Sequence, residues 1–224
     1  RFVPGVGVAQ GEGHRDAPIF RGNISTSDMF VDGVRDDVQY IRDLYNIDRV
    51  EVLKGPNAMV FGRGGVGGVI NRVTRVADGQ RHAEATLQVG AHERRRGTLD
   101  AGAPLGERAS VRATALYEDS GSFRDFFELR RRGINPTATF EFSPRTTATV
   151  GYEYFRDERT ADRGLPSQLG IGVGTPVDVD PSTFFGKPED SFVDASVHAG
   201  TAFVEHAFGE RTALRNRTRV ADYD

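Results

Sequence analysis

The residues with the clearest chemical pattern are the glycines from Gly62 to Gly67, which spell G-x-G-x-x-G. In a dinucleotide-binding loop such glycines let the backbone approach a pyrophosphate, and the helix that follows offers its N-terminal N–H groups to the phosphates. Here another glycine follows, and then the alternating residues Val69 to Thr74, which are typical of a strand. Lys54-Gly55 also lacks the Ser or Thr and the upstream glycine of a phosphate-binding loop. A nucleotide-binding enzyme is therefore the weakest interpretation of this segment.

Other residue types argue against further kinds of chemistry. The chain of 224 residues has no cysteine, which removes disulfides, thiolate zinc sites and thiol catalysis. Its five histidines are scattered without metal-ligand spacing, so we predict no metal site, no catalytic residue and no enzyme activity. The formal net charge of −3 gives no electrostatic reason to expect nucleic acid as a partner.

The glycines instead indicate a compact structural connection between strands. Positions predicted to allow tight turns or close packing are Gly33, Gly55, Gly62, Gly64, Gly65, Gly67 and Gly68. Asp32-Gly33 predicts the turn of a hairpin, and Val50 to Leu53 predicts an alternating strand. Apolar residues at three- and four-residue steps predict helical turns from Val38 to Tyr45, with another from Ala58 to Phe61. The chain up to Val76 therefore predicts a small α+β unit.

After Val76 the sequence changes to segments of about ten residues that alternate in polarity. The segments that predict strands are Glu84–Gly90, Gly97–Ala103, Ala109–Tyr117, Phe126–Phe142, Thr146–Phe155, Val193–Phe208 and Arg211–Tyr223. In Thr146–Phe155, alanine, valine and tyrosine occupy one face, whereas threonine, glycine and glutamate occupy the other. Such strands predict an antiparallel sheet with one apolar face.

Short and long connections alternate between these predicted strands. The short ones are Pro104–Arg108, Ser143–Thr146 and Phe208–Arg211, whereas Ser120–Asp125 and Asp157–Ser191 are longer. No run of roughly 18 apolar residues is present, which excludes a membrane-spanning helix, but transmembrane β-strands leave only a weak hydropathy signal. Short turns at one end, long loops at the other and aromatic residues near both are typical of a transmembrane β-barrel.

Five motifs in the first part of the chain carry a family resemblance. They are Arg21-Gly22, VDGV at Val31–Val34, RVEVLKGP at Arg49–Pro56, FGRGG at Phe61–Gly65 and GGVINRVT at Gly67–Thr74. In this order they resemble the second half of the plug domain of TonB-dependent outer-membrane receptors, especially the siderophore receptors. The resemblance implies an α+β plug at residues 1–78, then antiparallel transmembrane β-barrel strands at residues 79–224. The chain would be a fragment of a plugged barrel of about 22 strands, with the TonB box before Arg1 and most strands after Asp224.

The resemblance also implies a function in the bacterial outer membrane. Family members bind a ferric siderophore above the plug and import it with energy relayed through TonB. The implied partners are a ferric siderophore, TonB and outer-membrane lipid, with no nucleic acid, and no cofactor is implied because iron enters only within the ligand. Ligand contact is expected at Arg21, Arg35, Asp37 and Tyr40. Guanidinium donors suit ligand oxygens, and aromatic faces suit the rest of a bulky ligand.

Two charged residues are expected to lock the plug to the barrel. Arg49 and Glu51 point away from the apolar side of their strand, and in a plug this face would meet the polar barrel wall. The ligand class stays open, because cobalamin, haem or an oligosaccharide would suit the same architecture. A receptor that signals ligand occupancy to a periplasmic regulator is a further alternative.

Overall fold

The computed structural model describes residues 3–11, 13–25, 28–55, 61, 67–168 and 174–224. Strands within these ranges form four sheets. Nowhere in this part of the chain is there a helix with the length and apolarity needed to cross a lipid bilayer. Gly62, Gly64 and Gly65 lie outside the described residues, as does most of the helical turn predicted from Ala58 to Phe61.

Residues 3–78, called the plug unit below, contain two small sheets. The first is antiparallel and consists of β1 (Val6–Ala9), β2 (Ala17–Phe20) and β3 (Asn23–Ile24). The second consists of β4 (Met29–Val31), β5 (Val34–Arg35), β6 (Ile47–Lys54) and β7 (Gly68–Thr74). Its order is β5-β4-β7-β6, with β4 and β7 parallel and the other neighbours antiparallel.

The largest sheet, called the wall sheet below, is an antiparallel meander. Its first strands are β8 (His82–Val89), β9 (Arg95–Pro104), β10 (Ala109–Ser120), β11 (Leu129–Ser143) and β12 (Thr146–Thr160). The next link contains a separate pair, β13 (Ser167–Gln168) and β14 (Thr175–Pro176). The sheet then continues with β15 (Phe192–Ala207) and β16 (Ala213–Tyr223). Its order, β16-β15-β12-β11-β10-β9-β8, follows the sequence apart from the inserted pair.

All predicted wall strands are confirmed, with changes at their ends. The largest change is in β12, which continues to Thr160, so the long link predicted from Asp157 begins later. The extension is charged, yet its residues stay paired with both neighbouring strands, and Asp157 and Arg159 point inward to an ion-pair network. The strand therefore continues past its predicted end because its charged residues have partners on the neighbouring strands.

Alternation along the wall strands places polar residues inside and apolar residues outside. On β11, Asn135 and Thr137 are each 7% exposed and face the plug unit, whereas Phe140 and Phe142 on the opposite face are 39% and 66% exposed. This inversion relative to a soluble protein is the pattern of a strand with lipid on one side and a polar lumen on the other.

The hairpin predicted at Asp32-Gly33 is confirmed. Val31 pairs with Val34, and the two residues between them have φ of +49° and +79°, as a type I′ turn requires. The Asp32 carboxylate accepts hydrogen bonds from the Thr74 backbone N–H at 3.0 Å and hydroxyl at 2.6 Å. The Gly33 N–H donates to Asn71 Oδ1 at 2.9 Å, so the turn is fixed to β7.

Glycines at the start of β7 allow two segments of the plug unit to pack closely. A Cβ at Gly67 would collide with the side chain of Phe20, and a Cβ at Gly68 would lie 2.6 Å from the carbonyl oxygen of Leu53. Phe20 is 1% exposed at this contact. The lack of a side chain at Gly67 and Gly68 therefore allows this close contact.

The helix predicted from Val38 to Tyr45 is wrong. This segment has an irregular, turning backbone. The Arg42 guanidinium donates to the carbonyl oxygens of Asp36 and Val38 at 2.7 Å each, and to that of Tyr40 at 3.2 Å. One buried side chain therefore takes up carbonyl groups that a helix would pair with backbone N–H groups.

Candidate functional site at the contact between plug unit and wall sheet

A buried carboxylate at the centre of the plug unit collects four donors. Asp36 Oδ2 accepts hydrogen bonds from Arg42 Nε at 3.0 Å, Tyr40 OH at 3.0 Å and Arg72 Nη2. Its Oδ1 accepts the hydroxyl of Tyr223, on β16, at 2.7 Å. Burial raises the pKa of Asp36, but the charges of Arg72 and Arg42 outweigh burial and hold the pKa below its ordinary value. Asp36 is therefore a charged centre at neutral pH.

Two tyrosines of the plug unit fit against the wall sheet. Tyr45 stacks on Phe155 of β12 with ring centroids 6.4 Å apart and an interplanar angle of 17°, and Tyr40 lies 6.4 Å from the same ring. Gly133 of β11 leaves space for Tyr45, since a Cβ there would lie 2.7 Å from Tyr45 Cζ. Burial raises the pKa of both hydroxyl groups, so both stay protonated at neutral pH. The plug unit thus fits a recess in the wall.

A second plug carboxylate binds guanidinium groups of the wall. Arg96 of β9 donates to both oxygens of Asp43 at 2.8 Å, and Arg131 of β11 donates to one of them at 3.3 Å. Each arginine is also held by a wall carboxylate, Arg96 by Glu118 at 2.6 Å and Arg131 by Asp157 at 2.7 Å. Burial raises the pKa of Asp43, but the hydrogen bonds and charge of Arg96, followed by the charge of Arg131, hold it below its ordinary value.

Further polar contacts join the plug unit to the wall, two of them close to the point where the chain passes from one to the other. Asn46 Nδ2 donates to Glu153 Oε1 at 2.9 Å, and Arg75 Nη1 donates to Asp100 Oδ2 at 2.8 Å. The backbone N–H of Ala77 donates to a threonine hydroxyl of β11 at 3.0 Å. Apart from the two tyrosines, the contact is made largely by hydrogen bonds and ion pairs.

A cavity of about 250 Å³ separates the plug hairpin from the wall strands beside it. Its lining includes Thr74 from the plug unit and Asn135, Glu153 and Arg219 from the wall. Asn135 Oδ1 and Arg219 Nε are buried and form no hydrogen bond with the described protein atoms. A space of this size with polar groups on both sides is suited to water.

The residues predicted to contact a ligand differ in exposure. Arg21 is exposed in the turn after β2, with a φ of +48°. Arg35 and Asp37 pair at 3.6 Å, with side chains 32% and 49% exposed. Tyr40 is only 4% exposed, and its hydroxyl is bound to Asp36. The Tyr40 side chain supports the plug interior in this structure, and its contact with a ligand stays a prediction.

The residues predicted to lock the plug lie together on β6. Arg49 pairs with Glu51 at 2.9 Å, and Glu51 also accepts a hydrogen bond from Asn71 at 2.8 Å. These partners are all within the plug unit, so a lock to the wall through Arg49 and Glu51 stays a prediction. Side chains that do join the plug unit to the wall include Asp36, Asp43, Asn46 and Arg75.

Sequence reasoning missed the wall residues that hold the plug unit. Arg96, Glu118, Arg131 and Asp157 occupy inward positions on β9 to β12 and are shielded from solvent. A signal for them exists, because charged residues at every second position of a transmembrane strand mark the lumen side. Their partner, Asp43, could not be found in this way because it lies in an irregular segment.

An antiparallel sheet with an apolar outer face, whose polar inner face binds a separate folded unit, defines the class of plugged outer-membrane β-barrels. The profile of the TonB-dependent Receptor Plug Domain matches residues 1–69. The chain belongs to the TonB-dependent receptors, which are outer-membrane proteins of Gram-negative bacteria.

Individual relatives match almost the whole chain. The probable TonB-dependent siderophore receptor PiuA of Acinetobacter baumannii is 31% identical over 229 residues, which cover 99% of this chain and 31% of PiuA. The crystal structure of PiuA superposes with a TM-score of 0.89 at 30% identity, covering 98% of this chain and 32% of that one. The open form of the ferric-catecholate import receptor Fiu from Escherichia coli K12 gives 0.85 at 28% identity, with 99% and 35% covered. The chain therefore spans about a third of the length of these relatives.

Proposed function

We propose that the whole protein binds a ferric siderophore on the outer side of the membrane and imports it through the barrel, with TonB as the energy-coupling partner. Residues 1–78 belong to the plug and residues 79–224 to the barrel strands in this proposal. Iron is cargo within the ligand, and the proposal includes neither a cofactor nor an enzymatic step. Membrane lipid contacts the outward apolar face of the wall sheet.

The polar character of the contact between plug unit and wall sheet carries this proposal. Ion pairs such as Asp43–Arg96 and Arg75–Asp100 join the two parts, and a cavity lined in part by polar side chains lies between them. Hydrogen bonds of this kind can be exchanged for hydrogen bonds with water, so displacing the plug costs less than separating an apolar core of the same area. A plug held in this way can leave and return, as import requires.

Two observations support a ferric siderophore as the ligand. PiuA is named as a probable siderophore receptor and Fiu as a ferric-catecholate import receptor, which favours this class over cobalamin, haem or an oligosaccharide. Arg21, Arg35 and Asp37 are exposed or half-exposed on the plug unit, where we propose that they contact the ligand. The guanidinium groups of Arg21 and Arg35 offer planar pairs of donors to the oxygens of an anionic ligand.

A strain that lacks the gene, compared with the same strain carrying it on a plasmid, tests this function under iron limitation. We expect radioactive iron supplied as a ferric tris-catecholate to enter only the complemented cells. The double variant Arg21→Ala/Arg35→Ala should need a higher ligand concentration for half-maximal uptake, whereas Arg145→Ala in the short turn after β11 serves as an exposed control. Iron uptake that does not depend on the gene, or gene-dependent uptake of haem or cobalamin alone, contradicts the proposal.

A further inference from the structure

The carboxylate of Asp43 lies in a binding site made by the wall. Arg96 donates to its two oxygens at 2.8 Å each, and Arg131 adds a third hydrogen bond at 3.3 Å. This forked arrangement is the geometry in which a guanidinium binds any carboxylate, whether it belongs to a protein or to a ligand. The Asp43 side chain is 4% exposed there.

The site is held in shape by the wall itself. Arg96 is fixed by Glu118 and Arg131 by Asp157, both on wall strands. These contacts do not involve Asp43, so the two arginines keep their positions when the plug unit is absent. The anion site is therefore preorganised on the wall, and the plug unit only supplies its occupant.

The charge around this site favours an anion. One network of ion pairs in the wall includes four guanidinium groups and two carboxylates, whose side chains point inward or line the mouth. These residues are Arg94, Arg96, Arg131, Arg159, Glu118 and Asp157. These six wall residues alone thus have an excess of two positive charges, and Asp43 cancels one of them. An excess charge in a partly enclosed site attracts ions of opposite sign.

The site is close to the outer mouth of the barrel. Arg96 is near the start of β9 and Arg131 near the start of β11, at the end of the sheet where the link from Thr160 to Phe192 begins. The longer loops of bacterial outer-membrane barrels are extracellular. A ligand that enters from outside and moves inward past the plug therefore passes this position.

We propose that Arg96 and Arg131 form a transit site for an anionic ferric siderophore, which Asp43 occupies while the plug is in place. When the segment that carries Asp43 moves away, a carboxylate or catecholate oxygen of the ligand takes its place between the two arginines. The ligand then replaces the hydrogen bonds that the two guanidinium groups lose when Asp43 leaves. This proposal rests on the proposed function for its ligand, but the anion site itself can be tested separately.

Rescue by a small carboxylate tests the site without any siderophore. The full-length receptor with Asp43→Ala has an empty carboxylate position between two fixed arginines. We expect acetate to raise its unfolding temperature in a saturable manner, and to have a smaller effect on the wild-type receptor and on Asp43→Ala/Arg96→Gln. An equal effect of acetate on all three proteins overturns the anion site.

Transport of a ferric tris-catecholate tests the second part. The variant Asp43→Asn keeps both arginines, whereas Asp43→Asn/Arg96→Gln removes one of them, and the buried Glu118 then keeps Arg131 at 3.5 Å. We expect the two variants to bind the probe equally in cells without TonB, and the double variant to import it about five-fold more slowly when TonB is present. Equal import rates overturn the transit role. If neither variant nor the wild type imports the probe, the proposed function fails, and the acetate experiment still decides the anion site.

Discussion

Asp36 and Asp43 are both plug carboxylates that bind two arginines each, but the arginines come from different places. Those of Asp36 are Arg42 and Arg72, within the plug unit, and the wall adds only the hydroxyl of Tyr223. Those of Asp43 are supplied entirely by the wall. The Asp36 cluster therefore stabilises the plug unit internally, whereas the Asp43 contact stabilises its attachment to the wall. Similar chemistry thus serves internal cohesion at one position and attachment at the other.

Removing the carboxylate of Asp36 should have the largest effect. Asp36→Ala leaves two guanidinium groups buried in the plug without their main partner, which costs about 3 to 5 kcal/mol. Hydrogen exchange of the β4 and β7 amides in the full-length receptor measures this as a lower free energy of local opening. Asp37→Asn, at the exposed neighbouring position, is the control, and equal losses in both variants would contradict a cohesive role for Asp36.

Neutralising Asp43 should have a smaller effect. Asp43→Asn removes charged hydrogen bonds worth about 1.5 to 3 kcal/mol, but Arg96 and Arg131 keep Glu118 and Asp157 as partners. Protection should therefore fall around residues 36–46, while β4 and β7 stay protected. Loss of protection in those two strands as large as in Asp36→Ala would remove the distinction between the sites.

Filling the recess that holds Tyr45 should lower the free energy of opening of the plug unit by about 1 kcal/mol or slightly more, which is the lower part of the range for overpacking. Gly133→Ala places a Cβ against the ring of Tyr45, and the plug unit is expected to open more easily near that residue. Gly200→Ala on β15 is the matched control, since a Cβ there has nothing within 4 Å. Tyr45→Leu in the Gly133→Ala background should restore part of the loss, and no restoration would show that the two positions are not in contact.

Acidity should affect both sites only at low pH. Both carboxylates have pKa values held below the ordinary 3.8, so their contribution to stability is complete above that pH and is lost as the pH falls through the depressed values. Hydrogen exchange corrected for its intrinsic pH dependence should give the same opening free energy at about pH 7 and pH 5, and a lower one near pH 3. A decrease between pH 7 and pH 5 would point to other titrating groups.

Local pattern was enough to predict most of the wall sheet. Alternation with a period of two and polar turns predict strands such as Thr146–Phe155, although not its continuation to Thr160, and the Asp32-Gly33 pair predicts the plug hairpin. The irregular segment around Arg42 could not be predicted, because its backbone carbonyl groups are bound by the Arg42 side chain. The burial of that side chain depends on the assembled plug unit. The partners of Asp43 could not be predicted either, since they lie 53 and 88 positions further along the chain.

These separations also bear on the order of assembly. The two arginines that bind Asp36 lie 6 and 36 positions away in the sequence, whereas those that bind Asp43 lie 53 and 88 positions away. Contacts between nearby segments close smaller loops and form earlier than distant ones. The charge cluster of Asp36, Arg42 and Arg72 can therefore form while the wall strands are still unpaired. Docking through Asp43 completes the assembly afterwards.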